Sequence, residues 1–167
     1  MNLQFLLAFP EYKVPLPGGS RSSQNDIFVL GRTDDHLVSI TVEGKVDETF
    51  GPILEEWQVD ESKGKKGRLA YLKSKLGLVQ NIPGSIRYQL LHRTASAVIE
   101  AERFHAKSAI MLVHSFSQDN AGYEDYQAFL SLYDIDADMG KLFFLKEING
   151  IGLYSGWVNG DLKYLEC

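Results

Sequence analysis

Ser39-Ile-Thr-Val-Glu-Gly-Lys-Val-Asp-Glu-Thr-Phe-Gly51 is the stretch on which the fold of this chain turns. Its alternation is that of a β-strand: Val38, Ile40, Val42 and Val46 fall on one face, Ser39, Thr41, Glu43 and Lys45 on the other. One face is core and the other is chemistry or water. Upstream, Asp26-Ile-Phe-Val-Leu-Gly31 is rich in residues that strands favour, and Thr33-Asp-Asp-His36 between the two runs carries turn residues. A two-residue loop at Asp34-Asp35 makes the runs a hairpin and sets Asp26 directly opposite Glu43. Their Cβ atoms are then roughly 5 Å apart, with Lys45 next along the same face.

Two facing carboxylates repel unless a cation or a shared proton sits between them, and hard divalent ions take oxygen ligands. A metal site resolves the conflict. A neighbouring ammonium helps to neutralise the pair, orients a water, or stabilises charge building up on a phosphate in flight. A solvated sheet face with an ordinary salt bridge satisfies the same spacing.

An aspartate on one strand followed by Glu43-Gly44-Lys45 on the next resembles the PD-(D/E)xK nuclease superfamily, the restriction-endonuclease-like fold. Two longer strings, Val42-Glu-Gly-Lys-Val-Asp-Glu-Thr-Phe-Gly51 and Arg87-Tyr-Gln-Leu-Leu-His-Arg93, are similar to a small family of uncharacterised, mostly bacterial single-domain proteins assigned to that superfamily. The resemblance covers about residues 20 to 116. Asn25 precedes Asp26 where the signature has Pro, so Asp26 rests on the hairpin pairing. The resemblance implies a three-layer α/β core, a mixed central sheet flanked by helices, and hydrolysis of DNA or RNA phosphodiester bonds with Mg²⁺ or Mn²⁺. It further implies that Asp26, Glu43 and the Gly44 carbonyl hold the ion, that Lys45 positions or activates the attacking water, and that Gln89 supports the site. His92 and Arg93 are weaker candidates for contact with the substrate phosphate.

The bounds of the chain are compatible with this. At 167 residues it is one domain, 1–167, long enough to bury ~70% of its unfolded surface. Apolar residues are 44% and charged residues 23%, with no apolar run of membrane-spanning length. The net charge of −5 argues against broad adhesion to DNA, so any positive charge used on nucleic acid has to be local. The one basic cluster, Lys63-Gly-Lys-Lys-Gly-Arg68, reads as a glycine-containing loop in which Lys65 and Lys66 either touch phosphates or face water. The single cysteine, Cys167, excludes an internal disulfide and suits a reducing compartment. Leu3 to Phe9 lacks a basic leader and runs into Pro10, so it reads as a buried or edge segment, and the cytoplasm is the expected location. The expected partners are nucleic acid and a second copy in a homodimer, with no membrane.

The remaining elements follow from pattern. Pro10 to Gly19 reads as an irregular connection, with Ser20 to Asn25 as a turn or short helix before the hairpin. Pro52 to Trp57 has helical spacing. A helix is expected over Arg68 to Leu78, and a longer one from Ser85 to about His105 with Ile86, Leu90, Ala97, Val98 and Ala101 as its inward stripe. Gln89 and Arg93 stand four apart on that helix. Ala109 to Val113 reads as a buried central strand, parallel to an earlier one through a right-handed crossover. Tyr123, Tyr126, Phe129, Leu130 and Tyr133 form a packing stripe. Leu142 to Leu165 reads as a β-meander punctuated by Asn149-Gly150 and Asn159-Gly160.

No phosphate-cradling loop, dinucleotide fingerprint, zinc spacing or nucleophile elbow occurs. The sequence thus points to an α/β metal-dependent nuclease with Asp26, Glu43, Lys45 and Gln89 as catalytic residues. The competitor is a non-catalytic member of the same fold that binds nucleic acid or protein. A Schiff-base role for Lys45 is disfavoured because Glu43 holds its ammonium charged.

Overall fold

The hairpin forms in the expected register. In the computed structural model, which describes residues 2–60 and 62–165, β2 (Ser23–Arg32) and β3 (Leu37–Lys45) pair antiparallel from Arg32 with Leu37 to Ile27 with Val42. The Thr33 amide donates to the His36 carbonyl at 2.8 Å, and the Thr33 hydroxyl accepts from the amides of Asp35 and His36, which fixes the two-residue turn. β1 (Gln4–Val14) adds antiparallel to β2 as an edge strand. β4 (Ser108–Ser115) lies parallel to β3 on the other side, as the crossover rule requires. β6 (Ile151–Asn159) runs parallel to β4, and β5 (Leu142–Ile148) closes the sheet antiparallel to β6. The sheet order is β1-β2-β3-β4-β6-β5, a mixed α/β architecture. Asn149 and Gly150 both have positive φ, 52° and 78°, the conformation of the mirror-image hairpin turn that suits strand twist.

Four helices accompany the sheet: α1 (Leu54–Trp57), α2 (Lys63–Lys75), α3 (Tyr88–Arg103) and α4 (Tyr123–Leu130). All four contribute to one buried cluster, together with Ala109, Met111 and Val113 of β4 and Leu153 and Trp157 of β6. The stripe expected of α3 is buried, and so are Tyr126, Phe129 and Leu130 of α4. A second, smaller cluster on the opposite sheet face holds Val38, Ile40 and Ile110, and only strand residues pack against it. The α/β class with a mixed sheet and helices is as expected, but among the described residues the helices flank the sheet on one face, which makes two layers where the resemblance implies three. The face of β3 that meets them is the polar one, because its neighbour β4 carries the apolar residues that fill the main core. Among the described residues no helix is long and apolar enough to cross a membrane.

Several expectations need correction. Lys63 to Arg68 is not a loop but the opening of α2: the Ser62 hydroxyl accepts from the Lys65 amide at 3.3 Å and caps it. Pro10 to Val14 and Ser23 to Asn25 are strand rather than irregular chain or helix, since they pair with each other along β1 and β2. α3 begins at Tyr88, because the amides of Leu54 and Tyr88 tie the segment before it to α1 through the carbonyls of Ile86 and Pro52. Leu162–Leu165 is a 3₁₀ turn, so the meander has two strands and not three. Cys167 lies outside the described residues.

Gly64 shows why α2 tolerates a poor helix former. A Cβ built there would lie 2.6 Å from the Gly18 carbonyl oxygen, so the helix and the Pro-Gly loop pack backbone to backbone. Ala would gain about 1 kcal/mol in helix propensity, but overpacking typically costs about 1–3 kcal/mol. Urea denaturation should therefore show Gly64→Ala to be destabilised; a more stable variant would show that this contact is loose.

Candidate functional site

The polar stripe of β3 is matched to α3 by simple geometry. The helix returns the chain from β3 to the parallel β4 and so runs opposite to both. Two strand residues advance about 6.6 Å and four helix residues about 6 Å. Alternate residues of β3 consequently meet every fourth residue of α3. The Ser39 hydroxyl donates to the Ala97 carbonyl at 2.9 Å and the Thr41 hydroxyl to the Arg93 carbonyl at 3.2 Å. One step further, Glu43 meets the side chains of Arg93 and Gln89.

Glu43 is only 3% exposed, and its carboxylate is enclosed by donors. Arg93 Nε donates to Oε2 at 2.5 Å, Gln89 Nε2 donates to Oε1 at 2.6 Å, and Lys45 Nζ lies 3.1 Å from Oε1. Lys45, equally buried, also donates to Gln89 Oε1 at 3.2 Å and stands 4.9 Å over the Phe50 ring. The Gln89 amide is thus oriented without ambiguity, its donor on the carboxylate and its acceptor on the ammonium. Glu48 lies 3.7 Å from Lys45 and adds a second carboxylate at the outer edge. Burial of a charge is tolerated only with such pairing.

The structure brings Glu43, Lys45 and Gln89 together as expected and places Asp26 differently. Ser23 and Asn25 are buried on the α3 side of β2, and so is Phe28, so the facing parity changes between 25 and 28. Glu11, opposite this point in β1, has φ 52°, which marks the kink. Asp26 therefore does not point across at Glu43. Its Oδ2 accepts from the Gly44 amide at 2.7 Å, at the seam where the β2–β3 ladder ends. Among the described residues its Oδ1 makes no hydrogen bond, and no group of three or more His, Cys, Asp or Glu side chains is placed to hold a metal ion.

The residues expected to bind substrate part company. Arg93 is buried against Glu43 rather than presented to solvent. Lys65 stands 3.0 Å from Asp60 and 5.5 Å over the Trp57 ring, while Lys66 is exposed on α2. His92 Nδ1 is 2.8 Å from the Ser23 hydroxyl, and the Arg93 Nη1 donates to the same hydroxyl at 3.3 Å. Ser23 and Arg68 were not singled out in the sequence. A hydroxyl in a polar run carries no pattern, and Arg68 reads as one more basic residue until its bonds to the Leu16, Pro17 and Gly19 carbonyls are seen.

Two outcomes test this geometry. Arg93→Met should cost about 3–5 kcal/mol, since it strips a buried carboxylate of its closest cation. Combined with Glu43→Gln, the loss should be smaller than the sum by about 0.5–3 kcal/mol in a double-mutant cycle; strict additivity would show that the pair does not interact. Burial, then the charges of Arg93 and Arg68, hold His92 down at about 3 against an ordinary 6.5. The unfolded chain takes up a proton there as pH falls through 6.5 and the folded chain does not. This contribution to stability is full above 6.5 and is lost as pH falls from there down through about 3. His92→Asn should flatten the pH dependence of the urea midpoint in that window, and an unchanged slope would place His92 in water.

No curated protein and no solved structure matches the chain. A family model does match, over residues 1–162, nearly the whole length. The chain belongs to the family described as Domain of unknown function (DUF6946).

Proposed function

We propose that this protein is a divalent-metal-dependent phosphodiesterase acting on nucleic acid, with its site at the end of β3. The observation that carries the reading is the meeting of Glu43, Lys45 and Gln89, three residues chosen from two separate stretches, in one hydrogen-bonded cluster. The donor chemistry fits a hard cation: the Asp26 and Glu43 carboxylates and the Gly44 carbonyl offer only oxygen. Charge fits as well, since Asp26, Glu43 and Glu48 outnumber Lys45 and Arg93 by one. Such an ion, once bound, would polarise a phosphoryl oxygen and lower the pKa of a bound water. Lys45, fixed by Gln89 and Glu43, supplies a positive charge that does not have to reorganise when a phosphate gains charge. Gln89 holds that ammonium and the Glu43 carboxylate in one orientation, a positioning role.

A second reading, a non-catalytic member of the same fold, is favoured by one observation. Both Glu43 oxygens already receive donors, two of them cationic, so guanidinium and ammonium fill the place a metal would take. Nuclease assays with Mn²⁺ or Mg²⁺ and with EDTA separate the readings. The first expects metal-dependent cleavage of DNA or RNA, a loss of about 10²–10³-fold in Lys45→Ala, and a loss of about 10–100-fold in Gln89→Ala. Lys45→Ala leaves Glu43 paired with Arg93, so the fold should persist, as circular dichroism would show. Cleavage that survives Lys45→Ala, or that is equal in EDTA, would refute the assignment.

A further inference from the structure

Beside the Glu43 cluster, on the far side of His92, lies a cavity of about 260 Å³ lined by Arg21, Trp57, Arg68, Tyr88 and His92 among others. It adjoins a second cavity of about 410 Å³ that shares Arg21, Trp57 and Arg68 and adds Lys65. In a chain of net charge −5, no carboxylate lines either one among the described residues; Asp60 reaches Lys65 only from the side. Arg68 is buried at 7% exposure and pairs with no carboxylate among the described residues. Its Nε donates to the Pro17 carbonyl at 2.7 Å, and its Nη2 to the carbonyls of Leu16 and Gly19, each at 3.3 Å. Those bonds hold the guanidinium in place but leave its charge without a counter-ion among the described residues, a costly state for a buried group.

Two more groups in the lining have unused capacity. The Tyr88 hydroxyl is buried near the Arg68 guanidinium and makes no well-aligned hydrogen bond among the described residues. The Ser23 hydroxyl lies 2.8 Å from His92 Nδ1, accepts from Arg93 Nη1 at 3.3 Å and donates towards the His92 carbonyl at 3.4 Å. Held neutral by burial, the ring turns its Nε2 edge away from Ser23, as a donor in one tautomer and an acceptor in the other. Among the described residues the lining therefore presents donors and positive charge with no acid to receive them. Such a lining suits a ligand with several terminal anionic oxygens.

We propose that this cavity is a phosphoryl-binding site, in which Arg68, Arg21 and the Tyr88 hydroxyl, with His92 in its Nε2–H tautomer, receive a terminal phosphate of a nucleic-acid strand or the phosphate of a small free molecule. The proposal deepens the phosphodiesterase reading, because a chain of contacts from His92 through Ser23 and Arg93 to Glu43 joins the two sites. A strand anchored by its end in the cavity would lie beside the cluster. Anion binding itself needs no metal.

Calorimetry in EDTA tests the proposal, with inorganic phosphate, a 5′-phosphorylated trinucleotide and its 5′-hydroxyl counterpart as probes. The wild-type chain should bind phosphate saturably, and Arg21→Gln and Tyr88→Phe should each weaken it about tenfold. Tyr88→Phe should leave the unfolding midpoint nearly unchanged, since the hydroxyl it removes makes no well-aligned hydrogen bond among the described residues. A phosphorylated trinucleotide that binds more tightly than the hydroxyl form identifies strand ends as the source of the phosphate. Equal trinucleotide binding, with phosphate itself still bound, identifies a free phosphate compound. Absence of saturable phosphate binding, or binding that both variants leave unchanged, would overturn the proposal. No cleavage is read in this experiment, so its failure leaves the phosphodiesterase reading standing, and loss of cleavage elsewhere leaves this site standing.

Discussion

A glutamate cannot remain charged beneath a helix unless that helix brings it partners, and the architecture around Glu43 meets this condition. The crossover from β3 to β4 lays α3 antiparallel over the strand, and the near match between two strand residues and four helix residues puts Arg93 and Gln89 on Glu43. The same match gives Ser39 and Thr41 carbonyl acceptors higher along the helix. Small residues at Ala97 and Ala101 allow the close approach. A polar stripe in the middle of a sheet is thereby buried without leaving its groups unsatisfied.

Much of this was legible in the sequence. The hairpin register followed from a two-residue loop and period-2 alternation, and the parallel placement of β4 followed from strand, helix and apolar run in order. Gln89 was singled out by its place on the helix after the hairpin. Arg93, four residues on, carried the same signal; its partner was missed because the antiparallel run of helix over strand was not used to extend the row.

What escaped the sequence has physical causes. The face on which Asp26 lies depends on a kink shared with β1, at Glu11, a residue paired with it only in three dimensions. Alternation within one strand cannot reveal that. The opening of α2 hides because Lys63 to Lys66 contributes no apolar stripe, and the helix there is held by the Ser62 cap and by backbone contact with Gly18. The cavity at Arg68 is built from three helices, the loop between β1 and β2 and Pro52 before α1, so no local pattern encodes it.

These features make one region of the molecule unlike the rest: a saturated buried carboxylate at the end of β3, a carboxylate at the seam beside it, and a cavity behind His92 with no acid in its lining among the described residues. Whether Arg93 and Lys45 hold the place of a metal or replace it altogether is the decisive question. Anomalous diffraction from a crystal soaked in Mn²⁺ answers it most directly. Our account predicts an anomalous peak bounded by Asp26, Glu43 and the Gly44 carbonyl, with Arg93 moved off Glu43. A map without such a peak, with the Arg93–Glu43 pair intact, would contradict it.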